Sequence, residues 1–221
     1  MKEKIILVGS GQHCNVVSYN INSQNIYEPA CILEVNKSKW NSKINGIYVE
    51  PGYADFDVDF LNKIKSKYKT SKFFISLGSM KLRRILFDFF CDNGWESVNI
   101  FHPNSVISNE AEFGKGILVE CGCLVTPQPK IGDNVVINTG SQVNHDNIIE
   151  DHVYIASGVI LSGGVTIKSN SLIDDGVIVT LGRTIGKNCI IGAGSVVTKD
   201  IPDDSIAFGS PCKVIRKNDK Y

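Results

Sequence analysis

The second half of the chain repeats an apolar residue at every sixth position, without an insertion, from Ile107 to Val197. Because 43% of all residues are apolar, an unbroken series of this length would arise by chance about once in a million trials. The first positions of these hexads are Ile107, Phe113, Val119, Val125, Ile131, Ile137, Val143, Ile149, Ile155, Leu161, Ile167, Ile173, Val179, Ile185, Ile191 and Val197. Each hexad predicts one short strand and one corner, and three hexads predict one triangular coil.

Coils of this kind stack into a prism with apolar ladders along its axis. At about 4.8 Å per coil, the repeat predicts a prism roughly 25 Å tall. The fifth position is mostly small or β-branched and completes the core, whereas the second position is often Gly, Asn, Asp, Glu or Ser and suits corners. The core is therefore expected to be dry, and any ligand site is expected on the outside or between copies of the chain.

The first hundred residues predict strands that alternate with helices. Short apolar runs indicate strands at residues 4–9, 30–33, 73–77 and 98–101. A glycine turn leads from the first strand into a helix, and Ser79 is placed to cap a second helix that ends at Gly94. The apolar stripe of this second helix consists of Leu82, Ile85, Leu86, Phe89 and Phe90. The alternation predicts an α/β domain, with a small parallel sheet covered by helices, over residues 1–103, and an all-β repeat domain with a C-terminal tail over 104–221.

Charge and cysteine content exclude several classes of protein. Lys plus Arg and Asp plus Glu are both 23, so the chain has no net charge and is not expected to bind nucleic acid or an anionic membrane. No apolar run approaches the roughly 18 residues of a membrane span, and the apolar run at the start is too short for a signal peptide. Seven cysteines without a CxxC pair indicate reduced thiols, a cytoplasmic location and no metal site.

The glycine turn after the first strand is one candidate binding site. In parallel sheets, ligands bind at the carboxyl ends of strands, where helix N-termini offer N–H groups. Gly9 and Gly11 suit a phosphate or ribose there, although Cys14 replaces the third glycine of the usual motif. The alternative is a turn that only reverses the chain, with His13 as a surface residue.

Asn144-His145-Asp146 is the most reactive cluster in the repeat. His145 occupies the third hexad position, away from the core ladders, and a neutral imidazole there is a suitable general base. Asp146 can orient that imidazole only if the chain turns a corner, because neighbours in a straight strand point in opposite directions. The alternative is a solvated polar corner, and His152 is expected to be a surface residue.

No residue pattern supports covalent catalysis, which leaves direct transfer of an acyl group to an acceptor. Gly163 lies one full coil beyond His145, so its N–H can face a reacting carbonyl. A glycine that merely needs a positive φ explains Gly163 equally well. Lys213 and Arg216 bring positive charge to the end of the chain, for a nucleotide-like donor or simply as a solvated terminus.

The residues together resemble a known family. Gly9-Ser10-Gly11-Gln12-His13, Phe74-Ile75-Ser76-Leu77-Gly78, Asn144-His145-Asp146 and Gly209-Ser210-Pro211-Cys212-Lys213 are similar to motifs of the hexapeptide-repeat sugar O-/N-acyltransferases. Bacterial enzymes that acetylate UDP-4-amino sugars or sialic acid belong to this family. The resemblance covers about residues 4 to 216, and it implies a left-handed parallel β-helix after a Rossmann-like domain.

The resemblance also implies roles for individual residues. It places the general base at His145 and its orienting carboxylate at Asp146, with Asn138 in the same site. It implies an acetyl-CoA donor, without a metal, in a groove between two prisms of a homotrimer. The residues expected at that donor are Tyr154, Gly163, Pro211 and Lys213. The residues expected at the sugar nucleotide are Gly11, Gln12, His13, Glu34 and Ser79.

These expectations favour an acetyl-CoA-dependent N-acetyltransferase that acts on a UDP-, dTDP- or GDP-linked amino sugar for surface glycans. Three departures from the family concern its substrates: Tyr154 replaces a histidine that contacts the thioester, Glu34-Val35 replaces a pair of aspartates, and Gly78-Ser79-Met80 replaces a Gly-Asn/Asp-Asn turn. O-acetylation of sialic acid or a related nonulosonate is the alternative reaction. A non-catalytic trimeric assembly module is a different class, which the His145-Asp146 pair disfavours, and a metal-dependent prism enzyme would need three histidine ligands.

Overall fold

The structure, a computed structural model, describes residues 2–51 and 58–219. The chain divides into two compact units, Met1–Ile100 and Phe101–Tyr221. Each unit has its own apolar core. No helix within the described residues is both long and apolar enough to cross a membrane.

The first unit is built on a six-stranded sheet. Its strands are β1 (Glu3–Val8), β2 (Tyr27–Leu33), β3 (Lys43–Ile44), β4 (Ile47–Glu50), β5 (Lys72–Ile75) and β6 (Glu96–Ser97). They lie in the order β3-β4-β2-β1-β5-β6, and every pair is parallel except the β3–β4 hairpin. The carboxyl ends of β2, β1 and β5 are therefore neighbours at one edge.

The described residues of this unit form three α-helices, and the sequence pattern predicts two of them. They are α1 (Gln12–Gln24), α2 (Val58–Tyr68) and α3 (Met80–Asp92), with a short 3-10 helix at Lys37–Lys39. Ser79 caps α3 as predicted, because its Oγ accepts the Leu82 N–H. The buried face of α3 is narrower than the predicted stripe: Leu86 and Phe90 are buried, whereas Leu82 and Ile85 are exposed. Helix α2 and the β3–β4 hairpin were not predicted.

The predicted strand at residues 98–101 is only partly correct, because Ile100–Phe101 forms a strand and residues 98 and 99 do not. The sheet of the first unit is completed by β6, and the next strand, Ile100–Phe101, belongs to the sheets of the repeat instead. The reason lies in the hexad series, because Phe101 stands one hexad before Ile107 and already occupies the first hexad position.

The second unit is the left-handed parallel β-helix that the sequence predicts, with three sheets as its faces. Face 1 contains Ile100–Phe101, Leu118–Val119, Val136–Ile137, Tyr154–Ile155, Leu172–Ile173, Ile190–Ile191, Ser205–Phe208 and Lys213–Lys217. Face 2 contains Val106–Ile107, Leu124–Val125, Gln142–Val143, Ile160–Leu161, Ile178–Val179 and Val196–Val197. Face 3 contains Glu112–Phe113, Lys130–Ile131, Ile148–Ile149, Thr166–Ile167 and Thr184–Ile185.

Each hexad forms a two-residue strand whose second residue points inward. All sixteen predicted first positions occupy this place, and only Ile107 and Phe113, in the first two hexads of the series, are partly buried rather than buried. Successive coils pair in parallel and in register at a step of three hexads, as in Val136 with Tyr154. The fourth position, rather than the predicted second, adopts positive φ at most corners, for example at Gly158 and Asn170.

The tail ends the repeat with a hairpin. Ser205–Phe208 pairs in parallel with Ile190–Ile191 and antiparallel with Lys213–Lys217. A turn at residues 209–212 joins the two strands, with Gly209 at a φ of 107°. The Cys212 N–H donates to the Val196 carbonyl and so attaches this turn to face 2.

The alternation of inward and outward residues makes a direct prediction for stability. Ile149 is 1% exposed and Ile148, its neighbour in the same strand, is 47% exposed. Because a buried isoleucine loses both burial and packing, Ile149→Ala should destabilise the β-helix by about 2–5 kcal/mol. Urea unfolding followed by circular dichroism measures this change. Ile148→Ala is the matched control and should shift the midpoint far less; equal shifts would contradict the assignment of faces.

Candidate active site

In the first unit, the predicted substrate-binding residues lie at the carboxyl edge of the sheet. Gly11, Gln12 and His13 follow β1, Glu34 follows β2 and Ser79 follows β5. Gly11 is the N-cap of α1 and supplies no side-chain cap, so the first N–H groups of this helix are not capped by a side chain. Such N–H groups and the helix dipole favour an anion.

Gly9 has a specific structural reason to be glycine. Its φ is 100°, and a Cβ at this position would lie 2.3 Å from Leu77 Cδ2. The carbonyl of Gly9 accepts a hydrogen bond from Ser76 Oγ at 2.6 Å. The turn after β1 is thus held against the end of β5, which fixes where the N-terminus of α1 begins.

Glu34 is buried and accepts hydrogen bonds from its own chain at both oxygens. Its Oε2 accepts from the N–H and the hydroxyl of Ser10, and its Oε1 accepts from the Asn36 N–H at 3.0 Å. Burial raises the pKa of this carboxyl, but the hydrogen bonds and nearby Lys39 lower it more, so the net pKa is below its ordinary value. Glu34 is therefore ionised at neutral pH and organises the turn at Ser10.

Lys39 was not predicted for this edge. Its Nζ donates to Ser10 Oγ at 3.0 Å and to the Ser10 carbonyl at 3.3 Å. The ammonium group therefore lies beside the glycine turn, although it comes from the 3-10 helix at Lys37–Lys39, much further along the chain. No local motif marks such a residue, because only the fold brings the segment after β2 back to the end of β1.

His13 lies close to the loop that follows β5. A Cβ on Gly78 would be 3.9 Å from the His13 Cβ, so the two segments approach closely. Burial, and then the nearby positive charge of Arg83, lower the pKa of His13 from 6.5 to about 4. His13 is consequently a neutral imidazole at neutral pH and offers a hydrogen bond rather than a charge to a ligand.

In the second unit, His145, Asp146 and Gly163 form one cluster, which we name the His145 corner. It lies where the chain passes from face 2 to face 3. Asp146 has a φ of 59°, so the chain turns at this residue, and the two neighbouring side chains point to the same side. His145 Nδ1 and Asp146 Oδ2 are 2.8 Å apart. The chain therefore turns a corner at this pair, which is the condition under which Asp146 can orient His145.

The direction of this hydrogen bond determines the imidazole tautomer. A carboxylate only accepts, so Nδ1 carries the proton and Nε2 keeps its lone pair in the neutral ring. Both side chains are 61% exposed, so the pair lies at the surface of the β-helix. The arrangement provides a base that is oriented by a carboxylate, as in other acid–base sites.

Gly163 is glycine because of His145. A Cβ at position 163 would lie 2.4 Å from His145 Nε2 and Cε1. The positive φ considered as an alternative belongs to its neighbour, Gly164, at 65°. That alternative is therefore wrong, and the imidazole lies directly against the backbone of the next coil.

The backbone around this corner is held from two coils. Asn144 Nδ2 donates to the Leu161 carbonyl at 2.7 Å, and the Gly164 N–H donates to the His145 carbonyl at 2.9 Å. Among the residues that the structure describes, no acceptor takes the Gly163 N–H. The backbone of Gly163, which lies against the imidazole, thus carries an N–H group without an acceptor in the described part of the chain.

A second cluster of the β-helix, which we name the Tyr154 corner, consists of Glu120, Asn138, Thr139 and Tyr154. It lies on face 1 and at the corner between face 1 and face 2. Asn138 Nδ2 donates to Tyr154 Oη at 3.2 Å, and Thr139 Oγ1 donates to Glu120 Oε2 at 2.8 Å. Burial raises the pKa of Glu120. Glu120 and Thr139 were not predicted, although Glu120 stands one coil before Asn138 at the same hexad position.

The structure therefore separates residues that the resemblance groups together. Within one chain, face 2 lies between the His145 corner and the Tyr154 corner. Pro211 and Lys213 belong to the C-terminal hairpin, where Lys213 begins its exposed second strand. Their roles, like those of the other site residues, stay predictions. In residues 2–51 and 58–219, no group of three or more His, Cys, Asp or Glu side chains could hold a metal ion.

Comparison with known proteins gives matches to part of the sequence and to the whole fold. Residues 4–90 match the family described as the PglD N-terminal domain. The perosamine N-acetyltransferase from Caulobacter crescentus, solved as a histidine-to-asparagine mutant with CoA and GDP-perosamine, is 28% identical over 97% of each chain, with a TM-score of 0.87. The acetyltransferase domain of PglB from Neisseria gonorrhoeae, solved with acetyl coenzyme A, is 24% identical over 97% of this chain and 100% of its own, with a TM-score of 0.85. No curated protein sequence matches.

The lowered pKa of His13 predicts how stability depends on pH. Between pH 6.5 and about 4, the unfolded chain binds a proton at this residue and the folded chain does not. The contribution of His13 to stability is therefore present above pH 6.5 and is lost as the pH falls towards 4. An NMR titration of the imidazole should give a midpoint near 4, and His13→Asn should reduce the acid sensitivity of unfolding. A midpoint near 6.5 would contradict the burial of this ring.

Proposed function

The chain is a sugar acyltransferase of the hexapeptide-repeat family, and from that premise we propose that it transfers the acetyl group of acetyl-CoA to the amine of a nucleotide-linked amino sugar. The observation that carries this proposal is the His145 corner, where a carboxylate-oriented imidazole lies against the backbone of Gly163. The Caulobacter enzyme, an N-acetyltransferase whose structure contains CoA and GDP-perosamine, supports the same class of reaction. We place the reaction in the cytoplasm, where the seven free cysteines stay reduced.

The residues of the His145 corner fit a thioester donor. A side chain at position 163 would fill the space that the imidazole needs, and the Gly163 N–H points to no acceptor of the described chain. That N–H is a suitable partner for the carbonyl oxygen of a thioester, on which negative charge develops during attack. Acetyl-CoA supplies the activated acyl group, and no metal or covalent enzyme intermediate is needed.

His145 handles the proton of the reaction. As the sugar amine attacks the thioester carbon, Nε2 accepts a proton from the nitrogen, and the Nδ1–H bond to Asp146 stabilises the imidazolium that forms. The carbon–sulfur bond then breaks, and His145 returns the proton to the sulfur, so that CoA leaves as the thiol. The acetyl group ends on nitrogen as an amide, and the imidazole returns to its neutral form.

The strand-end residues of the first unit are proposed to bind the nucleotide part of the acceptor. The uncapped N-terminus of α1 and the ammonium of Lys39 suit a diphosphate, and His13 offers a neutral hydrogen bond beside them. The ionised Glu34 repels phosphate and instead fixes the Ser10 turn. Local groups, rather than a broad basic surface, would therefore bind the small anionic ligand on this protein without net charge.

The active form is proposed to be a homotrimer. The outward row of face 2 is Val106, Leu124, Gln142, Ile160, Ile178 and Val196, which is apolar at five of six places. The corresponding row of face 3 has one apolar residue in five, Ile148. Because face 2 lies between the two corners, three chains packed symmetrically through it would bring the His145 corner of one chain to the Tyr154 corner of the next. Each reaction site would then need two chains.

The first test is the loss of the base. His145→Ala should lower kcat by about 10²–10⁴, because the amine would lose its proton acceptor. Release of the CoA thiol can be measured with UDP-, dTDP- and GDP-linked 4-amino sugars as acceptors. His152→Ala is the matched control, since His152 lies at another corner, and it should keep nearly full activity. An active His145→Ala variant, or turnover with sialic acids alone, would refute the proposal.

The second test concerns assembly. Sedimentation should give about three times the chain mass of 24.2 kDa. Ile160→Glu places a charge in the apolar row of face 2 and should yield monomers without activity, whereas Thr166→Glu on face 3 should remain a trimer. A monomeric wild-type protein with full activity would exclude a site that is shared between chains.

A further inference from the structure

Gln128 differs from the other corner residues of the β-helix because its backbone conformation does not suit its side chain. Its φ is 68°, in the left-handed region that favours glycine. Within the described residues, every other position of the β-helix with a positive φ is Gly, Asn, Asp or His. Gln128 also precedes Pro129, and a residue before proline is normally driven to extended conformations. The backbone is therefore strained at Gln128, and glycine or asparagine would fit it better.

Gln128 lies in the same column of the prism as Asp146, at the corner between face 2 and face 3. Residues 128, 146, 164 and 182 follow one another at one coil, and φ at all four is between 59° and 68°. The last two are Gly164 and Gly182, so among these four only the coil of His145 and the coil before it carry a side chain. The Asp146 N–H donates to the Pro127 carbonyl at 3.4 Å, which shows that these two coils are in contact at the corner.

The repeat sets the direction of the Gln128 side chain. Because Gln128 and Asp146 have the same place in successive coils and a similar left-handed φ, their Cβ atoms leave the chain on the same side of the prism. On that side, Asp146 directs its carboxylate to His145 Nδ1. One coil measures about 4.8 Å, which is close to the width of a sugar ring. A sugar whose amine meets His145 can therefore reach the Gln128 amide with another of its groups.

The chemistry of Gln128 suits a ligand rather than the fold. Its side chain is exposed and makes no hydrogen bond within the described part of the chain. Backbone strain of this kind persists mainly at ligand and active sites, where the side chain that it presents has a use. An amide both donates and accepts, as a sugar hydroxyl does, and it brings no charge to the neighbouring His145–Asp146 pair.

We propose that Gln128 is a specificity-determining residue whose side-chain amide hydrogen-bonds a hydroxyl of the acceptor sugar while the amine of that sugar lies at His145. The inference rests on the proposed function and deepens it, because it assigns a residue to the sugar itself rather than to its nucleotide. Sugars that lack this hydroxyl, or carry it in the opposite configuration, bind less tightly. The prolines on both sides, Pro127 and Pro129, restrict the backbone and so lower the entropy that the contact costs.

Shortening the side chain is the main test, with UDP-, dTDP- and GDP-linked 4-amino sugars as acceptors. Gln128→Asn keeps an amide, withdraws it by one carbon–carbon bond and suits a positive φ better, so the urea midpoint should stay the same or rise. KM for the sugar nucleotide should increase about 3- to 10-fold, because one hydrogen bond to the substrate is lost, while kcat and KM for acetyl-CoA stay at their wild-type values. Gln128→Gly should give the same kinetic result. Asn170→Gly is the matched control, since Asn170 has the same hexad position and a φ of 60° at another corner, and it should leave KM unchanged.

A set of deoxy acceptors shows whether the contact is direct. Each acceptor lacks one hydroxyl of the sugar. One of them should have the same raised KM with the wild type and with Gln128→Asn, because the hydroxyl and the amide are two halves of one hydrogen bond. The other acceptors should keep the difference between the two proteins.

Three results would overturn the inference. They are a wild-type KM in folded Gln128→Asn, an equal loss in this variant for every deoxy acceptor, and a urea midpoint of Gln128→Asn well below that of the wild type, which would assign the side chain to the fold. The proposed function fails separately, through activity in His145→Ala. An inactive His145→Ala variant together with unaffected Gln128 variants would reject the role of Gln128 alone.

Discussion

The whole β-helix depends on the register of its coils. Each coil pairs with the next at a constant step of three hexads, so every position of the hexad is repeated in a straight column along the prism. Inward columns are mainly apolar ladders because an inward polar group loses water and is tolerated only where it finds a partner, as the Ser171 hydroxyl does at the Gly186 carbonyl. Outward columns, in contrast, are chemically unrestricted. His145 and Gly163, one coil apart, can therefore be combined into a site without disturbing the core. The same holds for Glu120 and Asn138.

The sequence predicts the repeat well because its signal is periodic and local. All sixteen inward strand residues of the hexad series were identified from spacing, and so was the condition under which Asp146 can orient His145. The buried residues of the tail, such as Ile201 and Ala207, were not. In the first unit, β1, β2, β5, α1 and α3 follow from apolar runs and caps. The β3–β4 hairpin and α2 carry no comparable pattern, and the strand expected at residues 98–101 was misassigned because its end already follows the hexad series.

The parts of the candidate site that were missed are those that depend on cross-coil or cross-loop contacts. Lys39 reaches the Ser10 turn from the 3-10 helix after β2, and Thr139 reaches Glu120 from another coil. Gly163 is a further example. Considered by itself, the residue suggested a glycine required for positive φ, whereas a side chain is excluded at this position by the imidazole of His145, one coil earlier. A glycine in a repeat therefore has to be interpreted along its column as well as along the chain.

The C-terminal hairpin has a consequence for growth of the prism. Up to Ile190–Ile191, paired strands are three hexads apart in the sequence. Ile190 and Ile191 themselves pair with Ile206 and Ala207, which follow them by less than three hexads. Beyond them, the antiparallel strand Lys213–Lys217 forms the edge of face 1 and is exposed along its whole length, with three positively charged side chains. A bare parallel edge would invite a further coil from another molecule, whereas a reversed, cationic edge repels one. The hairpin thus limits stacking of further coils along the axis of the prism.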